Sequence, residues 1–368
     1  MDLCAEMLLA HLGSGSDDSL RPERICPTFR RRFTRLPIFG GRRSAFNADR
    51  LFNRHCDFPS HLRRIQASSP RREFDAFHVV DHSYAQLVHA LPADRTGVYL
   101  HDLDAFRSLL EPNREPRPRW FRLMMRRVLT GLQKAALVFY STAAVRSQVE
   151  LHGLLDPTRL VHAPYGVCPE FTPDELGRPP GLPPEIDGRP FLLHVGSCNP
   201  RKRIDVLLDV FGAVRARLPD LRMVKVGGEW SDDQRRRIDR LGVSPAVRHL
   251  TGVDRPVLAA LYRRAAAVLQ PSEAEGFGIP VAEALACGAP VVASDLPVLR
   301  EVGGDVAVYC PVADIPAWTD AVTRLIETPA LAHIRPARVA HAARFSWVAQ
   351  ARTIADEYLR LVGRGPAL

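Results

Sequence analysis

Short apolar runs and helical patterns alternate through the C-terminal half of this chain, and this alternation limits its fold more than any other feature. Strands that alternate with helices of about 10–15 residues form βαβ units, and helices then cover both faces of a parallel sheet. The predicted strands are 191–196, 221–227, 247–252, 266–270, 290–294 and 306–309, and the clearest helices are 204–218 and 231–241. In an α/β sheet of this kind, ligands bind beyond the carboxyl ends of the strands.

The N-terminal half alternates less regularly, but three further apolar runs predict buried strands. These runs are 77–80, 97–100 and 136–140. A segment with five prolines in 13 residues, 172–184, separates the halves and is typical of an interdomain linker. A chain of 368 residues is long enough for two domains with a cleft between them. The predicted domains are 1–173 and 174–345, and a C-terminal helix occupies 346–368.

The composition excludes several classes of protein. The hydrophobic fraction of 46% and the charged fraction of 25% are those of a globular chain rather than a disordered one. No apolar run approaches the roughly 18 residues of a membrane-spanning helix, and Asp2 and Glu6 stand where a signal peptide would be basic. The seven scattered cysteines include no Cys-x-x-Cys pair, which argues against a disulfide framework or a zinc site and favours a reducing cytosol.

The net charge of +9 is concentrated in one stretch of the chain. Residues 21–72 hold 14 arginines against three acids, with six phenylalanines interleaved. Such a stretch attracts the phosphates of a membrane, a nucleic acid or a substrate, unless it is simply a solvated basic face. The segment 117–129 mixes arginines with Trp120, Phe121 and Met124 and resembles an interfacial helix. We therefore predict peripheral association with an anionic membrane, and no specific nucleic-acid partner.

The stretch from Pro271 to Ser294 contains the residues best suited to chemistry. Gly276 and Gly278 allow the backbone to approach a ligand closely, and the helix that follows offers free amide groups to a phosphate. Glu283 lies on that helix among apolar neighbours, so its carboxylate needs a hydrogen-bonding partner. A sugar diol is one such partner, and an exposed helix position is the alternative.

A second strand end followed by a loop and a helix start is predicted from Gly196 to Ile204. Arg201, Lys202 and Arg203 place three cations where a diphosphate could bind. The chain has only three lysines among 50 basic residues, so a lysine at this point suggests a specific role. A solvated basic turn is the alternative for this motif alone.

Together these motifs resemble a known enzyme family. The pairing of Val195-Gly196-x-x-x-Pro-Arg201-Lys202 with Glu275-x₇-Glu283 is similar to family 4 of the retaining, nucleotide-sugar-dependent glycosyltransferases, the glycosyl transferases group 1. The specific part is Pro-Ser-x-x-Glu-Gly-Phe-Gly-x-Pro-x-x-Glu-Ala, preceded by Arg-Lys. The resemblance implies the GT-B fold, an α/β architecture of two Rossmann-like doubly wound domains that face a central cleft.

The resemblance also implies roles for particular residues. Arg201 and Lys202 would neutralise the leaving diphosphate, and Glu275 would lie at the donor sugar. Glu283 would bind the ribose hydroxyls, and His101, in a His-Asp motif, would face the sugar from the other domain. The other implied donor-binding residues are Gly196, Ser197, Val253, Gly276, Phe277, Gly278 and Ile279. Fixed cations and helix-end amides stabilise the departing phosphate, so neither a metal nor a cofactor is expected.

Three segments extend or depart from the family pattern. In Pro164-Tyr165-Gly-Val, Tyr165 replaces the family's asparagine, and 345–358 resembles the terminal helix that crosses back to the N-terminal domain. Family members open with a strand and a Gly-rich loop, whereas 2–12 already has a helical pattern, so the first N-terminal strand is missing. We expect the natural protein to begin some tens of residues upstream; the alternative is a truncated, inactive copy.

The implied activity is transfer of a hexose, such as mannose or glucose, from a UDP- or GDP-sugar to a glycan or lipid-linked acceptor. It would serve bacterial cell-surface polysaccharide or glycolipid synthesis from the cytoplasm, at the inner face of the membrane. The alternative is a non-catalytic or truncated GT-B scaffold that binds nucleotide-sugar without releasing nucleoside diphosphate. A GT-B epimerase is disfavoured by the loop motifs. A dinucleotide oxidoreductase is disfavoured because no strand-Gly-x-Gly-x-x-Gly-helix pattern is present.

Overall fold

The chain folds into two α/β units, each built on a parallel sheet. One unit comprises Met1–Pro164 with Trp347–Leu368, and the other comprises Tyr165–Ser346. The computed structural model describes residues 2–12, 20–36, 43–68, 74–174, 177, 179, 182, 188–328 and 334–363. Most of the predicted linker 172–184 lies outside the described residues, as do 37–42 and 69–72 of the basic stretch.

The helices and strands of the described residues follow the predicted order. The strands are β1 (Phe77–Val79), β2 (Thr96–Leu100), β3 (Leu137–Tyr140), β4 (Leu160–His162), β5 (Phe191–Val195), β6 (Arg222–Val226), β7 (Val247–Leu250), β8 (Ala267–Gln270), β9 (Val291–Ser294) and β10 (Val308–Cys310). The α-helices are α1 (Asp2–Leu12), α2 (Arg43–Phe52), α3 (Phe58–Ser68), α4 (Arg107–Leu110), α5 (Arg119–Lys134), α6 (Ala143–Leu151), α7 (Ile204–Arg217), α8 (Asp232–Arg240), α9 (Arg255–Arg264), α10 (Ile279–Ala286), α11 (Pro297–Gly303), α12 (Ile315–Glu327), α13 (Arg335–Ala342) and α14 (Trp347–Leu361). Every strand expected from the sequence is confirmed to within two residues at each end, and β4 is an addition.

The sheet of the second unit reverses its direction of growth at its centre. Its six parallel strands stand in the order β7-β6-β5-β8-β9-β10. The chain builds β5, β6 and β7 outward, then returns to the other side of β5 to begin β8, where Leu192 pairs with Ala267. Such a topological switch point leaves a crevice at the carboxyl ends of the two central strands, and ligands of doubly wound sheets bind there.

Helices cover both faces of this sheet and supply its core. α7 buries Val206, Leu207, Val210 and Phe211 in a cluster that includes the fully buried Trp318 of α12. Several helices begin at short polar side chains that accept backbone amides, as expected for N-caps. Ser231 and Gln234 form a reciprocal capping box at α8, and Asp254 and Asp314 cap α9 and α12. Local sequence therefore fixes where these helices start, and the sheet fixes where they pack.

The sheet of the first unit has the order β1-β2-β3-β4 among the described residues, all parallel. α14 returns to this unit and hydrogen-bonds to its sheet. The hydroxyl of Tyr358 donates to the carbonyl oxygen of Phe77 at 2.8 Å, and the Gln350 amide lies 3.0 Å from the Tyr99 hydroxyl. α1, predicted to be helical, packs against α14.

The basic N-terminal stretch is held in place by its few acidic side chains. Asp49 is buried and accepts hydrogen bonds from the amides of Arg32, Phe33 and Thr34. Burial alone would raise the pKa of Asp49, but these bonds and the Thr34 hydroxyl bring the pKa well below its ordinary value. Asp57 pairs with Arg32 through both carboxylate oxygens. Part of the positive charge of this stretch, that of Arg32, is therefore paired within the fold.

No helix in the described portion of the chain is both long and apolar enough to cross a membrane. All seven cysteines are free thiols.

Candidate active site

The two predicted donor-binding motifs meet at the switch point of the second sheet. The segment beginning at Gly196 follows β5, and the segment beginning at Pro271 follows β8, which is the neighbouring strand. The amide of Glu273 donates to the carbonyl oxygen of Arg201 at 2.9 Å, which joins the two loops directly. Residues more than 70 positions apart are thus brought together where a doubly wound sheet binds ligands.

Glu275 is the centre of a buried polar network. Its Oε1 atom lies 2.6 Å from Lys202 Nζ and accepts hydrogen bonds from Gln270 at 2.5 Å and Ser272 at 2.7 Å. The side chains of Glu275 and Lys202 are 5% and 12% exposed. Burial would raise the pKa of Glu275, but the Lys202 charge and these hydrogen bonds hold the pKa below its ordinary value. The carboxylate is therefore ionised, and it fixes the ammonium group of Lys202 at the strand ends.

The three consecutive cations of this loop do not act alike. Arg203 has a left-handed backbone, with φ of 47°, and its guanidinium pairs with Asp205 and Glu273. Arg203 therefore stabilises the loop. Lys202 enters the buried network, and Arg201 follows a turn in which the Asn199 side chain accepts the Arg201 amide at 3.2 Å. The structure thus separates the supporting cation from the two assigned to the diphosphate.

Glu283 lies on α10 and is 7% exposed, as its apolar neighbours predict. The protein itself supplies one hydrogen-bonding partner for this carboxylate, because the Tyr262 hydroxyl donates to Oε2 at 3.0 Å. Burial raises the pKa of Glu283 to about 7, although Tyr262 and the charge of Arg255 oppose the rise. Among the described residues, the second oxygen Oε1 accepts no hydrogen bond, so it is the atom with capacity for a ligand.

Four of the remaining predicted donor residues, 276–279, lie at the start of α10. Gly278 is the N-cap of α10 with φ of 99°, a conformation that favours glycine. Phe277 is 4% exposed and packs edge-on against Tyr165 and Phe345, so its side chain belongs to the core. Tyr165, which replaces an asparagine of the family pattern, thus supports this loop through ring packing. Gly276 and Ile279 are partly exposed, and so is Val253, which lies elsewhere, after the edge strand β7.

The Gly196 loop is backed by a histidine that sequence reasoning missed. His194, on β5, is fully buried, and its Nδ1 donates to the carbonyl oxygen of Leu269 at 2.9 Å. Its Nε2 is buried without a partner among the described residues. A Cβ atom on Gly196 would lie 3.2 Å from that nitrogen, so glycine gives the loop its close approach to β5. Ser197 follows and is exposed.

Lys225 is a second buried lysine beside the site, and no role was predicted for it. Its ammonium donates to the carbonyl oxygens of Gly227 and Gly228, which also lie 3.0 and 2.9 Å from His249 Nε2. Burial lowers the pKa of Lys225. A Cβ on Gly228 would lie 2.6 Å from the amide nitrogen of Cys198. Lys225 therefore clamps the turn on which the Gly196 loop rests. Its only sequence signal was the rarity of lysine in this chain.

His101 belongs to the first unit. Its Nε2 donates to the Val80 carbonyl oxygen at 2.9 Å, and its amide donates to His82 Nδ1 at 3.2 Å. Burial, and then the charge of His82, lowers the pKa of His101 to about 4, so the ring is neutral at pH 7. Asp81 lies in the same cluster but caps Ser83 with both oxygens. Both His101 and Asp81 therefore form hydrogen bonds within the protein.

Comparison with known proteins identifies the family. The glycosyl transferases group 1 model matches residues 183–344. A D-inositol 3-phosphate glycosyltransferase of Actinosynnema mirum is 31% identical over 338 residues, which cover 84% of this chain and 78% of the relative. The chain belongs to the glycosyl transferases group 1. The match to the corresponding protein of Mycolicibacterium paratuberculosis is 35% identical but covers 50% of this chain and 42% of that relative. The chain thus spans less than half the length of some relatives in this family.

Solved structures of similar shape establish the fold. Sucrose-phosphate synthase of Thermosynechococcus elongatus superposes with a TM-score of 0.70 at 20% identity, covering 90% of this chain and 83% of that one. HepE of Anabaena, solved with UDP and glucose, gives a TM-score of 0.67 at 17% identity, covering 83% and 82%. The chain therefore has the GT-B fold, with two Rossmann-like domains.

Proposed function

We propose that the protein is a retaining glycosyltransferase that moves a hexose from a UDP- or GDP-sugar to a glycan or lipid-linked acceptor. The observation that carries this proposal is the meeting of the Lys202 and Glu275 loops at the switch point of the second sheet, with a distance of 2.6 Å between the two charged groups. A buried carboxylate holds a buried cation at the position where the diphosphate of a nucleotide would lie.

The chemistry of donor cleavage matches what these residues supply. Departure of a nucleoside diphosphate builds negative charge on the β-phosphate, and a preorganised cation stabilises that charge without reorganisation cost. Lys202 and Arg201 would perform this role, and the amides at the start of α10 would assist. The free Oε1 of Glu283 would accept the ribose hydroxyls, and Tyr262 would orient the carboxylate. We propose no side-chain nucleophile and no metal.

The names of the relatives bear on donor and acceptor. HepE was solved with UDP and glucose, which supports a uridine donor and a glucose-type sugar for a chain of this fold. Several relatives are named D-inositol 3-phosphate glycosyltransferase, and we take this small phosphorylated compound as a candidate acceptor for this chain. Acceptor trials should therefore include this compound beside glycans and lipid-linked sugars.

A donor screen tests the proposal directly. Purified protein is incubated with UDP-, GDP- and ADP-sugars, with and without acceptors and EDTA, and released nucleoside diphosphate is measured. We expect slow hydrolysis of one donor, faster release with an acceptor, no loss in EDTA, and a product that keeps the donor's anomeric configuration by NMR. If a donor binds in calorimetry but no diphosphate is released, the scaffold alternative is correct and the transferase proposal is wrong.

A further inference from the structure

α5 presents two large apolar side chains on the side of the helix that faces away from the core. Trp120 is 60% exposed and Leu123 is 68% exposed, whereas Met125 and Val128 are buried. At about 100° per residue, Trp120 and Leu123 stand about 60° apart, with Leu123 pointing away from the buried stripe and Trp120 at the edge of that stripe. Large exposed apolar groups placed together on a surface mark an interaction site.

Part of the apolar set expected at this surface belongs to the core instead. Phe121 and Met124 pack against the buried cluster of the first unit, so they cannot insert into a partner. Leu123 takes their place beside Trp120. The exposed apolar surface therefore has fewer side chains than the sequence indicated, and it consists of Trp120 and Leu123.

Exposed arginines lie on the same face of α5 as the two apolar side chains. α5 contains five cations and no carboxylate, and Arg119, Arg126 and Arg127 are exposed on the same face as Trp120 and Leu123. None of these three arginines forms an ion pair with another residue in the described part of the chain. Their charges are thus available to an anionic partner.

A second basic helical stretch, 43–68, is joined to α5 through an intervening segment. The segment 82–90 connects them, because Gln86 donates to the Arg54 carbonyl oxygen at 3.2 Å and His89 donates to the Arg127 carbonyl oxygen at 3.1 Å. Arg50 and Arg63 of the helical stretch 43–68 are exposed as well. Exposed arginines therefore also occur on a helical element linked to α5.

We propose that this face of α5 is a docking surface for an anionic lipid bilayer. The arginines would contact lipid phosphates, and Trp120 and Leu123 would enter the boundary between headgroups and acyl chains. A nucleic-acid backbone would satisfy the arginines but would give the exposed aliphatic Leu123 no apolar environment. This inference does not rest on the proposed function, because it requires no donor chemistry.

Vesicle binding of the full chain tests the proposal, and tryptophan fluorescence locates the contact. The chain has four tryptophans, and Trp230, Trp318 and Trp347 are 8%, 0% and 3% exposed. Vesicles of phosphatidylcholine with 30% phosphatidylglycerol should shift the emission of Trp120 to the blue, and brominated acyl chains should quench it. Phosphatidylcholine alone, or 0.5 M salt, should give little binding.

Matched variants decide whether this face is responsible. Trp120→Ser with Leu123→Ser should lower the vesicle partition coefficient at least about tenfold, and Arg119→Gln with Arg126→Gln and Arg127→Gln should do the same. Leu151→Ser, at an 80% exposed position on α6, is the control and should bind as the unchanged protein does. Equal recovery in the supernatant with all vesicles overturns the proposal. So does binding that both α5 variants retain, or preferential binding of a DNA duplex that competes with vesicles.

Discussion

At the scale of single residues, Glu283 has the environment with the clearest chemical consequence. Its pKa of about 7 divides the carboxyl group between protonated and ionised forms at neutral pH. A diol that donates hydrogen bonds favours the ionised form, so ligand binding and deprotonation are coupled. The Tyr262 hydroxyl fixes which oxygen remains for the ligand.

Nucleoside diphosphate affinity should therefore rise with pH. If only ionised Glu283 binds the ribose, affinity should increase about tenfold between pH 6 and pH 8, since a group with a pKa of about 7 is mostly protonated at the lower value. Calorimetric titration across this range measures it. Glu283→Gln is the control that removes the dependence while leaving the titration of the nucleotide's own phosphate. A slope unchanged in Glu283→Gln would show that Glu283 does not bind the ligand.

The raised pKa of Glu283 has the opposite effect on the stability of the ligand-free protein, which should fall as pH rises. The folded pKa lies above the ordinary value of 4.5, so the folded state binds the proton more tightly and stability falls as pH rises from about 4.5 to about 7. Unfolding in urea at pH 5 and pH 8 should show this loss, up to about 3 kcal/mol, and Glu283→Gln should reduce it.

Lys202 supports both the fold and the reaction, and two variants separate these roles. Lys202→Ala should lower kcat more than a hundredfold at saturating donor, because the lost charge acts on a diphosphate whose charge grows in the transition state. It should also destabilise the protein by about 3–5 kcal/mol, since Glu275 would remain buried without its cation.

The double variant Lys202→Ala with Glu275→Gln removes the orphaned charge. Its stability, measured by urea unfolding, should return toward that of the unchanged protein while kcat stays low. A change confined to KM in Lys202→Ala would mean that the lysine binds the donor without assisting its departure.

At the scale of elements, the loops at the strand ends show what sequence can and cannot predict. The spacing of apolar residues and the turn-forming residues predicted β5 and β8 and the loops after them, because these sequence signals are local. The contact of Lys202 with Glu275 spans 73 positions and depends on β5 lying beside β8, so the two motifs could be matched only through their family resemblance. Tyr262 was not predictable, since nothing on α9 marks the residue that faces α10.

The start of α10 depends on a glycine for two separate reasons. A side chain at Gly278 would face a left-handed backbone and would also lie 2.8 Å from Leu299 Cδ2, which is fully buried and cannot move away easily. Gly252 has φ of 64° but open space around it. Gly252→Ala should therefore cost about 1 kcal/mol, the backbone term alone.

Gly278→Ala should cost clearly more than Gly252→Ala, because it adds a steric clash in the core. It should also weaken nucleotide binding by displacing the amides of α10. Urea unfolding and calorimetry of both variants measure these effects. Equal costs would mean that Leu299 repacks and that only the backbone conformation requires glycine.

At the scale of the whole molecule, the path of the chain ties the first unit to both ends of the sequence. The second unit is a single segment, whereas the first is completed by Trp347–Leu368. The terminal helix is fixed by Tyr358, whose ring lies against Phe139 and whose hydroxyl reaches the Phe77 carbonyl oxygen. Gly97 on β2 leaves the room that this hydroxyl occupies. The stability of the first unit therefore depends on residues far away in sequence.

Variants at Tyr358 should accordingly affect the first unit and spare the donor site. Tyr358→Phe should cost about 1 kcal/mol through the lost hydrogen bond, and Tyr358→Ala about 3–5 kcal/mol through the cavity that it leaves. Val348→Ala, at a 59% exposed position on the same helix, is the control and should change stability by less than about 0.5 kcal/mol. Urea unfolding gives the stabilities, and calorimetry with the preferred nucleoside diphosphate gives the affinity, which should stay unchanged because Lys202, Glu275 and Glu283 all lie in the second unit. If the free energy of unfolding of Tyr358→Ala equalled that of Val348→Ala, Tyr358 would not anchor α14 to the first unit. If Tyr358→Phe lowered the nucleotide affinity, the stability of the first unit and binding in the second unit would be energetically coupled.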